Sequence, residues 1–348
     1  LKAVVYKGIG EMSYEEVPYP KISSNEALLR VEMAGVCGTD HRIYRFGHRK
    51  IPVNVHRILG HEVAGIIAEV GSEVESYVHV GQRVIVAPNI GCGACMSCSR
   101  GYDNLCEDYD AFGISMDGGF AEYMKITPRA IYKGNVIELH ESISSEEGVM
   151  CETLSCCYHG FTQCRLRPGE IALIMGEGPI GLLHTQLARL SGASKVIVSG
   201  LIEDRLAQAR ELGADVTVNV NSQDLRELLM DVTDRAGADV IIIACPVPDA
   251  VKESLSLAAI GGRINIFGGI PADKEEIPLS TRLIHYREIV VTGTTGSNLE
   301  HFKLSLQLIR TKKIEVKSLV TDVLSLVDVP NYFRKPSAKI KAAVSPQV

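Results

Sequence analysis

At 348 residues the chain has room for two domains, and 46% hydrophobic against 22% charged residues is the balance of a globular protein. A net charge of −6 argues against a nucleic-acid backbone as partner, and no apolar run approaches the ~20 residues of a membrane helix. Ten cysteines, with no apolar secretion core in LKAVVYKGIGEMSYEEV, suit reduced thiols in a cytoplasmic protein rather than a disulfide framework.

The first ~130 residues read as short strands punctuated by Gly and Pro. AVVY near Ala3, ALLRVEMAG from Ala27, VAGIIAEVG from Val63, RVIVAP from Arg83 and GFAEYMKI from Gly119 are β-rich runs with turn signals between them. That pattern predicts a barrel or sandwich. It changes after about Glu152. IALIM at Ile171 and KVIVS at Lys195 read as buried strands, with a helix over Pro179 to Ser191 between them. A helix over Glu203 to Leu212 stops at Gly213. TVNV, a helix near Asp224 to Arg235, DVIIIA at Asp239, a helix near Asp249 to Ala258 and RINIFGG continue the alternation. Continuous apolar strands alternating with helices predict a doubly wound parallel sheet. IVVTG at Ile289 is a final strand, and Ser297-Asn298 could cap a helix carrying Leu299, Phe302, Leu306 and Ile309 on one face. The tail from Leu319 has no clear pattern.

Three constellations carry chemistry. Cys92, Cys95, Cys98 and Cys106 are spaced C-x2-C-x2-C-x7-C in a glycine-rich loop. Four soft thiolates that close together suit a tetrahedral divalent ion, most often zinc, although Fe–S clusters also take four cysteines. Gly176, Gly178 and Gly181 follow a strand and open a helix, with Pro179 and Ile180 in its first turn. The first glycine allows the tight turn, the second lets the backbone approach a pyrophosphate, and the third lets helix and strand pack closely. The acid expected ~20 residues on, to hold the adenosine ribose, is absent from the strand end, where Gly200 stands. Gly200 cannot repel a 2′-phosphate and Arg205 could pair with one, which leans the expectation toward NADP over NAD. The alternative has Glu203 reaching the ribose.

The third constellation is Cys37 in AGVCGTD with His61 and Glu62 in LGHEVAG. Thiolate, imidazole and carboxylate form a borderline-soft set suited to zinc. Glu152, in CETLSCC, could be a further ligand or a nearby carboxylate. Taken singly, each has an ordinary alternative as a core thiol, a turn histidine or a surface acid.

GVCGTD, GHEVAG, the four-cysteine loop, DGGFAEY and GEGPIG occur in the order seen in the zinc-dependent medium-chain dehydrogenases, and the chain resembles that family over nearly its whole length. Glu152 stands where the sorbitol (L-iditol) and polyol branch has glutamate, CETLSCC looks like that branch's EPLS-type segment with Thr153 for the usual proline, and LIHYREIVVTGTTGS is similar to the sugar-alcohol dehydrogenases. The threonine dehydrogenases are close relatives of that branch.

The resemblance implies an α/β chain. A GroES-like β-barrel catalytic domain would span residues 1–152, with a structural zinc lobe over about 89–107. A Rossmann domain binding NAD(P) would span 153–290, and 291–348 would return to the catalytic domain. It implies two zinc ions per chain. Cys37, His61 and Glu62 match the catalytic ligands, Glu152 the alternative carboxylate, and Cys92, Cys95, Cys98 and Cys106 the structural site. Thr39 matches the hydroxyl that relays the substrate proton. Where members commonly have His, this chain has Arg42, preceded by His41. Guanidinium does not shuttle protons at neutral pH, which leaves His41 or water for an outer relay. The implied reaction is hydride transfer from a secondary alcohol, of a polyol or sugar-like substrate, to NAD(P). The expected assembly is a homodimer or homotetramer. An amino-alcohol substrate such as L-threonine is the competing enzyme reading, and a non-catalytic nucleotide-binding protein the competing class. A zinc-loop nucleic-acid module is disfavoured because no basic stripe accompanies the cysteines.

Overall fold

The computed structural model describes residues 1–270, 274, 276–337 and 339–348. They divide into two compact units. One comprises Leu1–Ser155, Ser297–Lys312 and Val316–Val348, and the other Cys156–Gly296 with Lys313–Glu315.

The first unit is built on a seven-stranded sheet. Its order is Val136–Glu138, Arg83–Val86, Glu62–Val70, Ala27–Gly35, Lys341–Ser345 and Val320–Ser325, with Tyr123–Ile126 also pairing Ala27–Gly35. The central strands bury most of their length: Ala27, Leu28, Leu29, Val31, Ala34 and Ile67 lie in the core, while Arg30 and Glu32 are half-buried. Phe120, Met124 and Phe333 close it. The unreadable tail supplies two of the strands. Lys341–Ser345 pairs antiparallel with the end of Ala27–Gly35, matching Ala343 to Gly35 and Val344 to Ala34. On its other side Lys341–Ser345 pairs parallel with Val320–Ser325, and a strand defined by such pairings carries little local signal of its own.

The second unit is a six-stranded, wholly parallel sheet. Its order is Val216–Asn219, Lys195–Gly200, Ile171–Met175, Ala238–Ile243, Ala258–Ile266 and Val290–Gly293. Counted along the chain this is 3-2-1-4-5-6, the doubly wound order whose ligand crevice opens beside the first strand. Leu173, Ile197, Val198, Ile241 and Ile242 are fully buried, which is why these strands read as unbroken apolar runs. The helices expected between them are Pro179–Leu190, Glu203–Glu211, Leu225–Val232 and Pro248–Leu257.

The division between the units falls within the helix Ser145–Cys164, which the sequence reading left out. Most of its faces are buried, so it shows no apolar stripe of helical period. Asn298 caps the helix Leu299–Arg310, its Oδ1 accepting from His301 N–H at 3.0 Å. Among the described residues no helix is long and apolar enough to cross a membrane.

Candidate functional site

The strand Ala27–Gly35 delivers Cys37 to the N-cap of the helix Gly38–Phe46. The Cys37 sulfur accepts from Thr39 N–H at 3.5 Å, and Asp40 Oδ2 accepts from Cys37 N–H at 2.8 Å, completing a capping box. His61 and Glu62 open the strand Glu62–Val70 that pairs with Ala27–Gly35, with Glu62 opposite Gly35. A Cβ on Gly35 would stand 1.9 Å from Glu62 Oε2, so glycine there makes the room the carboxylate occupies. The outcome is a cluster in which one ligand atom each of Cys37, His61 and Glu62 lies within 4.8 Å of the others. Glu152, also buried, is on the helix Ser145–Cys164 and is not one of the three that converge.

The surroundings hold these donors in place. Asp40 is fully buried, and its Oδ1 lies 3.2 Å from His61 Nδ1. Burial would raise the Asp40 pKa, but His61 and the N–H groups of Cys37 and Gly60 bring it below the ordinary value. Burial would lower the His61 pKa, but the Asp40 carboxylate and Cys37 thiol outweigh it and raise it well above the usual imidazole value. Glu62 Oε1 accepts from Thr153 Oγ1 at 2.7 Å and from Lys341 Nζ at 2.8 Å. Lys341 is 5% exposed and also donates to Val36 O at 3.2 Å. Burial lowers its pKa, yet Glu62, Cys37 and Glu152 raise it further and keep it cationic. Asp40, Thr153 and Lys341 escaped the sequence reading as members of this site. CGTD and CETLS mark the first two, but nothing local marks the lysine.

The donors fit a zinc ion. One donor atom each of Cys37, His61 and Glu62 converges within 4.8 Å, with Asp40 beside the imidazole and Lys341 beside the carboxylate to hold them there. The thiolate, imidazole and carboxylate set is the right chemistry. Thr39 is half-buried on the helix that Cys37 caps. His41 is half-buried against Phe333, with ring centroids 4.6 Å apart, and burial lowers its pKa, whereas Arg42 is exposed.

The four-cysteine segment fits a second ion. It is not simply loop, for it carries the short helix Met96–Ser99 and a 3-10 turn at Asp103–Leu105. Cys92 Sγ lies 3.9 Å from Cys98 Sγ, and Cys95 Sγ 3.7 Å from Cys106 Sγ. A tetrahedron with metal–sulfur bonds of about 2.3 Å has edges of about 3.8 Å. N–H bonds from Ala94 and Cys95 pull the Cys92 pKa down to about 6, whereas burial and the neighbouring thiols push Cys98 up to about 12. Four thiolates this close need a cation to coexist.

In the second unit Gly176, at φ 120°, ends the strand Ile171–Met175 beside Ala244, at the switch between the first and fourth strands. A Cβ on Gly181 would stand 1.7 Å from Gly176 O, which only glycine permits. Gly178 is the N-cap of Pro179–Leu190 with no side-chain cap, and nothing lies within 4 Å of where its Cβ would be. Pro179, Ile180 and the open approach over Gly178 present the helix N-terminus as a phosphate cradle. Glu203, the alternative ribose acceptor, is turned aside, with Oε1 on Arg210 at 2.8 Å and Oε2 on Asn219 at 3.4 Å.

Comparison with known proteins agrees with these geometries. Residues 23–139 match the alcohol dehydrogenase GroES-like domain and residues 179–311 the zinc-binding dehydrogenase family. The chain is 34% identical to a sorbitol dehydrogenase of Bacillus subtilis, covering 94% of this chain and 90% of that one. It is 33% identical to an L-threonine 3-dehydrogenase of Pyrococcus furiosus, covering 88% and 86%. A Sinorhizobium meliloti protein described as a zinc-binding dehydrogenase, solved with NADP bound, superposes with a TM-score of 0.91 at 34% identity over 99% of both chains. The chain therefore belongs to the zinc-dependent medium-chain dehydrogenases, oxidoreductases acting on CH–OH groups, with a GroES-like unit and a Rossmann-like parallel sheet.

Proposed function

We propose that this protein oxidises a secondary alcohol of a polyol or sugar-like substrate to the ketone, passing the hydride reversibly to NAD or NADP. The convergence of half-buried Cys37 with buried His61 and Glu62 carries this reading. Zinc, when bound there, supplies a Lewis acid that lowers the pKa of a substrate hydroxyl. Cys37, His61 and Glu62 would hold it. Asp40 would fix the orientation of the His61 ring, and Thr153 and Lys341 would anchor the Glu62 carboxylate. Glu152 would serve as the nearby carboxylate. Thr39 would accept the hydroxyl proton and pass it outward through His41 or water, a role for which a half-buried imidazole with a lowered pKa is suited and Arg42 is not. Gly176, Gly178, Pro179, Ile180 and Gly181 would bind the pyrophosphate, after which hydride transfer is the dinucleotide's own chemistry. Cys92, Cys95, Cys98 and Cys106 would hold a structural ion with no open position.

The polyol preference rests on Glu152 and on the likeness to the sorbitol dehydrogenase. The comparable likeness to the threonine dehydrogenase supports a second reading, an amino alcohol. Initial rates with sorbitol, xylitol, galactitol and L-threonine, each with NAD and NADP, separate the two. Turnover of a polyol at a kcat/KM at least about tenfold above that of threonine is expected. Turnover of threonine alone would assign the amino-alcohol substrate instead.

A further inference from the structure

The end of the second strand of a dinucleotide fold ordinarily carries its own acid for the adenosine ribose, and here the strand Lys195–Gly200 ends in glycine. A carboxylate is there nonetheless. Glu177, from the turn between Gly176 and Gly178, is 8% exposed and reaches across to the neighbouring strand's end. Its Oε1 accepts from the backbone N–H of Leu201 and of Ile202, each at 3.1 Å. A Cβ on Gly200 would stand 2.3 Å from Glu177 Oε2 and 2.5 Å from Cδ. Gly200 and Glu177 are therefore one arrangement. The glycine is what lets a carboxylate from the adjacent turn occupy the space of a side chain at position 200.

Two consequences follow for a dinucleotide. Leu201 and the N-cap Ile202 lead into the helix Glu203–Glu211, and Glu177 occupies their two N–H donors, which an incoming anion would use. A 2′-phosphate arriving here would meet a negative group in place of donors. A free 2′-hydroxyl would meet an acceptor. Resting on the dehydrogenase reading, we propose that Glu177 sets the cofactor choice, standing in for the missing strand-end acid and making NAD the preferred dinucleotide. The NADP expectation built on Gly200 and Arg205 took no account of this carboxylate.

The test is fluorescence titration of NADH and of NADPH into the purified protein, a binding readout independent of turnover. It is run on the wild type, on Glu177→Gln, and on a Glu177→Ala/Gly200→Asp double variant. The wild type should bind NADH at least about tenfold more tightly than NADPH, the size expected when like charges are juxtaposed. Glu177→Gln keeps an oxygen for the two N–H groups and removes the charge, so it should bring the two dinucleotides to near parity, mainly by tighter NADPH binding. The double variant moves the acid onto the strand end and should restore the preference for NADH. Wild-type binding of NADPH as tight as NADH, or a ratio unmoved in Glu177→Gln, overturns the proposal and leaves the dehydrogenase reading standing. Failure of the wild type to bind either dinucleotide overturns both. Should Glu177→Gln fail to fold, the wild-type ratio and the double variant still decide.

Discussion

Lys341 is a cation buried to 5% exposure with its ammonium 2.8 Å from a carboxylate that is itself fully buried. Neither charge is tolerable alone in such a place, and the pair persists because Thr153 and Val36 complete the hydrogen bonding around it. Replacing Lys341 by Met should destabilise the protein by about 3–5 kcal/mol, read as a shift in denaturant midpoint, because it leaves Glu62 charged and unpaired. A change below about 1 kcal/mol would mean that the ammonium does not compensate Glu62. Cys37, His61 and Glu62 were legible because short glycine-flanked motifs announce them. Lys341 was not, since it becomes part of the site only when the last strand adds beside Ala27–Gly35. Glu177 was hidden in another way. It sits inside a motif whose glycines draw the eye, and its role depends on a strand end 23 residues further on, at Gly200.

At the scale of elements, the second unit was almost wholly readable. Its central strands are covered on both faces, so burial writes an unbroken apolar run, and signals such as the Asp224 cap and the Gly213 stop mark helix ends. The helix Ser145–Cys164 was not readable, because near-complete burial erased its period. One buried group on the helix Pro179–Leu190 sets an acid limit on this unit. His184 is fully buried between Phe161 and Phe267, both its ring nitrogens lack hydrogen-bond partners among the described residues, and burial lowers its pKa from 6.5 to about 3. At neutral pH it is uncharged in both folded and unfolded chains and contributes no pH dependence. Below 6.5 the unfolded chain takes up a proton that the folded chain refuses until about 3, so stability falls by about 1.4 kcal/mol per pH unit across that window. A His184→Leu variant should lose that slope. Against the wild type its relative stability should rise by about 3 kcal/mol between about pH 7 and pH 4, followed by urea unfolding. Parallel stability curves for the two proteins would show that His184 is not held neutral.

At the scale of the molecule, the two units divide the chemistry. One holds both candidate metal sites and the other the dinucleotide turn. The order of motifs along the chain pointed to this organisation and the resemblance implied that the tail rejoins the first unit, whereas the two strands it forms there gave no clear local pattern. The central claim is that Cys37, His61 and Glu62 form the catalytic metal centre. It is tested most directly by measuring zinc content and polyol-dependent dinucleotide reduction together on wild-type protein and on Cys37→Ser. The expected outcome is a folded variant that keeps the four-cysteine ion, loses about one zinc per chain and falls more than about 100-fold in rate, since even partners outside the ligand set are worth about 10–100-fold. Wild-type turnover by a Cys37→Ser protein that lacks that zinc would contradict it.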